Sequence, residues 1–266
     1  TEDRSFEQQT TGLFIQNTAK LNDRFSLESG LRLDYNATYG TFPLPKLALL
    51  TKVNEKLTLR LGGSLGYKLP TIFTEDAENL AFEGIWPIAD NINVERAQGA
   101  NFDFNYATTF GSDWSINWNQ LFFYTNLDES LVLLPAGNNT FGFVNSDTPV
   151  ISQGMETNVK IGYKDFKLFL NYTLIDTELE DFRGERFQKP LTPKHNAAFV
   201  LVYEEHEKWR IGYELYYTGK QLRNDLTETS DFWIMGLMMM RKFNKIGLFI
   251  NFENFTDTRQ HRLESF

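Results

Sequence analysis

The segment FSLESGLRLDYN, residues 25–36, decides how this chain must be read. One parity runs Phe25, Leu27, Ser29, Leu31, Leu33, Tyr35, and the other Ser26, Glu28, Gly30, Arg32, Asp34, Asn36. A helix would bring residues three and four apart onto one face and mix the two sets, whereas a strand turns every second side chain the same way. The segment is therefore a strand with one apolar and one polar face. The same period recurs in Leu57, Leu59, Leu61, Leu65 and Tyr67 against Thr58, Arg60, Ser64 and Lys68, and in Phe102, Phe104 and Tyr106 against Asn101, Asp103 and Asn105. It returns in Val159, Ile161 and Tyr163 against Asn158, Lys160 and Gly162, and in Trp209, Ile211, Tyr213 and Leu215 against Arg210, Gly212, Glu214 and Tyr216. Such patterning predicts about twelve strands.

Tight polar turns are expected at Asn22-Asp23, Asn54-Glu55-Lys56, Gly111-Ser112-Asp113, Lys164-Asp165, residues 205–208 and Asn244-Lys245. Longer connections are expected around residues 38–42, 70–96, 135–140, 177–193 and 221–230. Short and long alternate, so an up-and-down meander would gather the short turns at one end and the long loops at the other. A soluble sandwich has no reason to do this; a transmembrane barrel, with short periplasmic turns and long extracellular loops, does. Aromatic residues agree. Phe110 and Trp114, Tyr163 and Phe166, and Tyr203 and Trp209 flank short turns, while Phe25 and Phe243 border two more. On the apolar parity Tyr35 follows Phe25, and Tyr124 follows Trp114, at a spacing of about ten residues, the length that crosses a bilayer as a tilted strand. These rows are expected to form two interfacial girdles. The mean hydropathy of -0.38 fits, since only one face of each strand would meet lipid.

Composition narrows the functional classes. A net charge of -9 over 266 residues, with a pI near 5.0, argues against a nucleic-acid partner, which needs a basic face to neutralise phosphates. There is no cysteine, hence no disulfide, thiolate nucleophile or Cys-type zinc site. No apolar run approaches the ~18 residues of a membrane helix, and the opening TEDRSFEQQT lacks the basic-then-apolar form of a signal peptide. The fold class predicted is all-β, an antiparallel up-and-down transmembrane barrel.

Five motifs then resemble those of TonB-dependent outer-membrane receptors, in family order. Gly66-Tyr67-Lys68-Leu69-Pro70-Thr71 is similar to the box where a barrel strand enters a large extracellular loop, the proline stopping the strand because it can donate no ladder hydrogen bond. Asn91-Ile92-Asn93-Val94-Glu95-Arg96-Ala97 resembles the following Asn/Pro/Glu element, without its prolines. Phe143-Val144-Asn145 with Gln153-Gly154-Met155-Glu156, Pro190-Leu191-Thr192-Pro193-Lys194-His195 and Asn251-Phe252-Glu253-Asn254-Phe255-Thr256-Asp257 resemble later strand boxes. The family's N-terminal plug and its periplasmic coupling motif do not appear, and Arg262 and Glu264 stand where the family's final strand alternates apolar residues before a terminal aromatic. The resemblance therefore implies that residues 1–266 are the C-terminal portion of a roughly 22-stranded barrel, lacking the plug, the early strands and the last strand. It also implies a bacterial outer-membrane location, contact with outer-membrane lipid, and coupling to the TonB complex through the missing plug. The implied function is energy-driven import of a small-molecule ligand, a ferric siderophore before cobalamin, another chelate or an oligosaccharide.

Candidate ligand-binding residues follow from loop chemistry. The connection over residues 70–96 offers Phe73, Phe82 and Trp86 among Glu75, Asp76, Glu78 and Glu83; apolar anchors among a few polar groups are what a small-molecule site needs. Arg183 and Arg223, with Arg186 and Lys189, could offset that acidity for an anionic chelate. No cofactor is expected. The three histidines, His195, His206 and His261, are far apart and predict no metal site. Met235, Met238, Met239 and Met240 divide between strand faces and read as apolar filler. Neither a nucleophile elbow, an HExxH pair nor a glycine-rich phosphate loop is present, so no catalysis is predicted. A passive porin or adhesin barrel, or a soluble β-sandwich carbohydrate-binding protein, remains the alternative reading.

Overall fold

The computed structural model describes residues 7–74, 77–78, 80–180, 185–223 and 225–260. Fifteen strands form in chain order: β1 (Thr10–Lys20), β2 (Phe25–Asn36), β3 (Gly40–Lys52), β4 (Leu57–Lys68), β5 (Glu95–Phe110), β6 (Trp114–Asp128), β7 (Leu131–Gly137), β8 (Thr140–Asn145), β9 (Val150–Tyr163), β10 (Phe166–Glu180), β11 (Arg186–Gln188), β12 (His195–Glu205), β13 (Trp209–Thr218), β14 (Phe232–Phe243) and β15 (Ile246–Phe252). Twelve of them make one continuous antiparallel path, β1-β2-β3-β4-β5-β6-β9-β10-β12-β13-β14-β15, with β11 paired to β10. β7 and β8 form a separate hairpin. The sheet is open, since β1 and β15 stand at its two ends and do not pair with each other.

Register carries the two-faced pattern across the whole sheet. Leu31 sits between Ile15 and Pro45, and Leu61 between Leu49 and Phe102. Val159 lies between Trp118 and Leu170, and Leu215 between Phe199 and Met235. The opposite face is polar. Arg60 faces Asp103 directly and bonds it at 2.7 Å, Lys46 reaches Glu28 at 2.7 Å, and Asn171 donates to Asn158 at 2.8 Å. Met235 and Met239 fall on the apolar parity, Met238 and Met240 on the polar one. A one-residue slip would exchange the faces of any strand, so the pattern itself pins the register.

Among the described residues the large sheet is a single layer, with no second sheet packed on its apolar side. Exposed large hydrophobics accordingly populate that side, among them Leu47, Leu61, Phe102, Trp118 and Phe122. The lower aromatic row is continuous: Trp114 packs on Tyr163 at 4.3 Å, Tyr163 pairs with Phe166, and Phe166 packs on Tyr203 at 5.0 Å. At the other end Tyr217 packs on Trp233 at 4.7 Å.

Three loop expectations need correction. The connection expected to be long around residues 38–42 is a three-residue turn between Asn36 and Gly40. Asn36 accepts from the amides of Thr38 and Tyr39, both at 3.0 Å, and Gly40 takes φ +86°, so the chain reverses at once. β3 then runs straight through Pro43 and Pro45. Residues 135–140 are no plain loop but the tip of the β7–β8 hairpin, with Asn138 and Asn139 both left-handed at φ 51° and 58°. Within residues 177–193, β10 continues outward to Glu180 and β11 returns along it. The other long connections stand at the end opposite the short turns, as expected.

Candidate functional site

The connection between β4 and β5 begins where Pro70, fully buried, ends the ladder. Its base is fixed at Asp34 of the polar face, which Tyr67, expected from sequence on the apolar parity, reaches from the end of β4. Tyr67 donates to Asp34 at 2.8 Å and stacks on Phe42 at 4.1 Å, while Arg32 donates to the other oxygen of Asp34 at 2.7 Å. Asp34 is fully buried, with the Cα of Gly12 pressed against it; a Cβ there would lie 2.2 Å from its Oδ1. Lys68 and Glu95, the last paired positions of the two strands, form an ion pair at 3.5 Å.

Above that base the connection is bound to the β7–β8 hairpin and behaves as one unit with it. Glu95 accepts from the Leu131 amide at 2.8 Å. Asn145 acts like a piece of backbone: its Oδ1 accepts from the Asn93 amide at 2.6 Å, and its Nδ2 donates to the carbonyls of Asn93 at 3.0 Å and Glu129 at 2.8 Å. Higher up, the Phe141 amide donates to Gly84 at 2.8 Å and the Trp86 amide to Phe141 at 2.9 Å. Gly84 is required there, since its φ is +67° and a Cβ would sit 2.6 Å from the Asn139 carbonyl. Of the buried hydrophobic side chains Phe42, Ala77, Ile92, Val94 and Phe143, the last four belong to these two connections. What core the chain has lies here, beyond the sheet.

The unit presents aromatic rings outward. Phe73 and Phe82 meet edge to face at 6.0 Å, and Phe73 and Trp86 are both more than half exposed. Ala81 and Phe82 are consecutive left-handed residues, φ 49° and 57°, held by bonds from their amides to Glu78 and Ala77. Such backbone is costly for a bulky residue and aims the Phe82 ring toward Phe73. The β2–β3 turn also reaches the unit: burial pushes the Tyr39 phenol up, and the Asp90 carboxylate adds to the shift.

A second pair of connections is joined in the same manner. The Leu191 amide, between β11 and β12, donates to Leu222 at 2.8 Å, between β13 and β14. Arg223 lies in a tight reversal there, its amide bonded to Thr227 and its carbonyl to the Leu226 amide. Bonds from the Thr227 hydroxyl and amide hold the Asp225 carboxyl low, with the Arg223 charge assisting. Among the described residues no hydrogen bond links the two pairs of connections.

The family model for the TonB-dependent receptor-like β-barrel matches residues 1–255. The chain belongs to this family. It is thus part of a TonB-dependent receptor barrel in the outer membrane, with its apolar face toward lipid and its polar face toward the lumen. Among solved structures it resembles a variant of the ferric enterobactin receptor of Pseudomonas aeruginosa, at TM-score 0.75 and 17% identity over 94% of this chain and 40% of that one. The siderophore receptor PirA of Acinetobacter baumannii gives TM-score 0.75 at 14% identity, over 93% and 41%. The FrpB iron transporter of Neisseria meningitidis gives 0.73 at 15%, over 96% and 42%. The chain therefore spans about two fifths of the length of these receptors. No curated protein matches it in sequence.

Of the ligand-binding residues expected from sequence, the receptor structure brings Phe73 and Phe82 together and sets Trp86 on the same loop unit. Arg223 stands on the other loop pair, five places along the sheet from β5 to β13. Glu75, Asp76, Arg183 and His261 lie outside the described residues. Sequence reading singled out Asn145 and Glu95 only as parts of motifs and missed their role as ties between loops. The signal was present, since both motifs sit beside strand ends, but nothing in either shows that it pairs with the other. Asn145→Ala is expected to remove its three bonds to Asn93 and Glu129, at a local cost of about 0.5 to 1.5 kcal/mol. Hydrogen exchange at residues 84–94 and 131–145 of the intact receptor should speed up together; unchanged protection would show that the tie is dispensable.

Proposed function

We propose that this chain is the C-terminal portion of the barrel of an energy-coupled outer-membrane receptor that imports a scarce nutrient, a ferric siderophore in the first instance. On this reading the plug, the early strands and the last strand belong to the rest of the protein, and the TonB complex acts through that plug. Membership of the receptor family and the likeness to siderophore receptors support it. The observation that carries the site is the joined loop unit, which holds Phe73, Phe82 and Trp86 outward at the long-loop end. Rings on a fixed frame lose little entropy when a ligand stacks on them. Glu78, Glu83 and Asp90 lie on the same connection, so affinity for an anionic chelate would come from stacking and burial, with Arg183, Arg223 and Lys189 offsetting the acidity and Glu75 a further polar contact.

The test is ferric siderophore binding and uptake by the intact receptor bearing Phe73→Ala together with Trp86→Ala. Loss of two partly exposed aromatic anchors is expected to weaken binding by roughly tenfold or more. Unchanged affinity with normal assembly would remove this loop unit from the site.

A further inference from the structure

We propose that Arg241, held between Trp209 and Phe243, binds the phosphate of a phospholipid in the periplasmic leaflet. Arg241 lies on β14 opposite Trp209 and Leu248, on the lipid-facing parity shared with Met239 and Ile211. Its guanidinium carbon is 4.6 Å from the Trp209 ring centre and 4.9 Å from that of Phe243. Among the described residues it has no ion-pair or hydrogen-bond partner. The nearest acid along its row, Glu205 beyond Trp209, is engaged by Lys208. The neighbouring Lys242 points to the other face and pairs with Glu207 at 2.8 Å.

Ring contacts use the flat faces of a guanidinium and leave its N–H edge free. Here the cross-strand neighbours are Trp209 and Leu248, at the level of the aromatic row that borders the short turns, where headgroups lie. A cation facing lipid there needs an anion, and a phosphodiester takes two parallel N–H bonds from arginine. The site is continuous with the lipid-facing belt, so the phosphate is that of a lipid whose chains cover the apolar face above it, rather than a free ion.

Native mass spectrometry of the intact receptor, titrated in mild detergent with phosphatidylglycerol, tests this. R241Q is expected to bind the lipid about fivefold more weakly than the unaltered receptor. K242Q, the same charge change one residue away on the lumenal face, should bind as the unaltered receptor does, and R241K should fall between. Equal binding by R241Q and the unaltered receptor would overturn the proposal. So would an equal loss in K242Q, equal binding of diacylglycerol, which lacks the phosphate, or displacement of the lipid by inorganic phosphate alone.

Discussion

Val159→Arg in the intact receptor is expected to lower stability by about 2 to 4 kcal/mol, while Asn158→Arg, one residue away, costs about 1 kcal/mol or less. The two positions share a depth in the membrane and differ only in face. Val159 lies between Trp118 and Leu170 on the lipid side, four residues above Tyr163 in the lower aromatic row, so an arginine there would stand near the bilayer midplane. Asn158 lies between Asn119 and Asn171 in the lumen and already donates to Glu156 at 2.8 Å. An arginine in its place keeps a carboxylate within reach and stays among polar groups. Reversible denaturant unfolding in lipid would measure both. Similar costs would mean that the faces have been assigned wrongly.

Gly154→Val should be nearly as damaging, at about 1 to 3 kcal/mol. A Cβ at Gly154 would lie 2.1 Å from the Leu174 carbonyl and 2.8 Å from the Phe123 ring. The carbonyl is backbone within the β9–β10 ladder and cannot swing aside, so the strands must separate. Gly66→Ala provides the contrast. Its added Cβ would meet only the Ala97 Cβ at 3.7 Å, an ordinary contact, and should change stability by less than about 0.5 kcal/mol. The same unfolding assay applies, and a Gly154→Val receptor as stable as Gly66→Ala would contradict the close approach.

Most of the sheet was legible because a strand that faces lipid on one side and a polar lumen on the other writes its period directly into the sequence. Residues 25–36 needed no partner to be read. The misread connections failed for a different reason, that local chemistry decided their length. Asn36 and Gly40 make the β2–β3 turn short, and neither is unusual enough in sequence to announce it. Residues 135–140 read in sequence as a plain connection, yet a two-stranded hairpin outside the sheet tolerates Pro135 beside a bulge between Pro135 and Gly137. The loop pairings were not legible at all. Phe73 and Trp86 could be picked out as aromatic residues in an acidic loop, but their fixed presentation depends on Asn145 and Phe141 from a connection some fifty residues later. Periodicity reports which way a side chain faces, not which loop it meets.

The central claim is that alternate residues of each strand face lipid and lumen. The chain itself has no cysteine, so with any cysteine elsewhere in the receptor replaced, spin labels can be placed one at a time along β9, from Met155 to Ile161, in the intact receptor reconstituted in lipid. Collision with oxygen, which concentrates in the bilayer, should peak at Met155, Thr157, Val159 and Ile161. Collision with a water-soluble nickel chelate should exceed it at Glu156, Asn158 and Lys160. A profile with no period of two, or one with the phases reversed, would contradict the account.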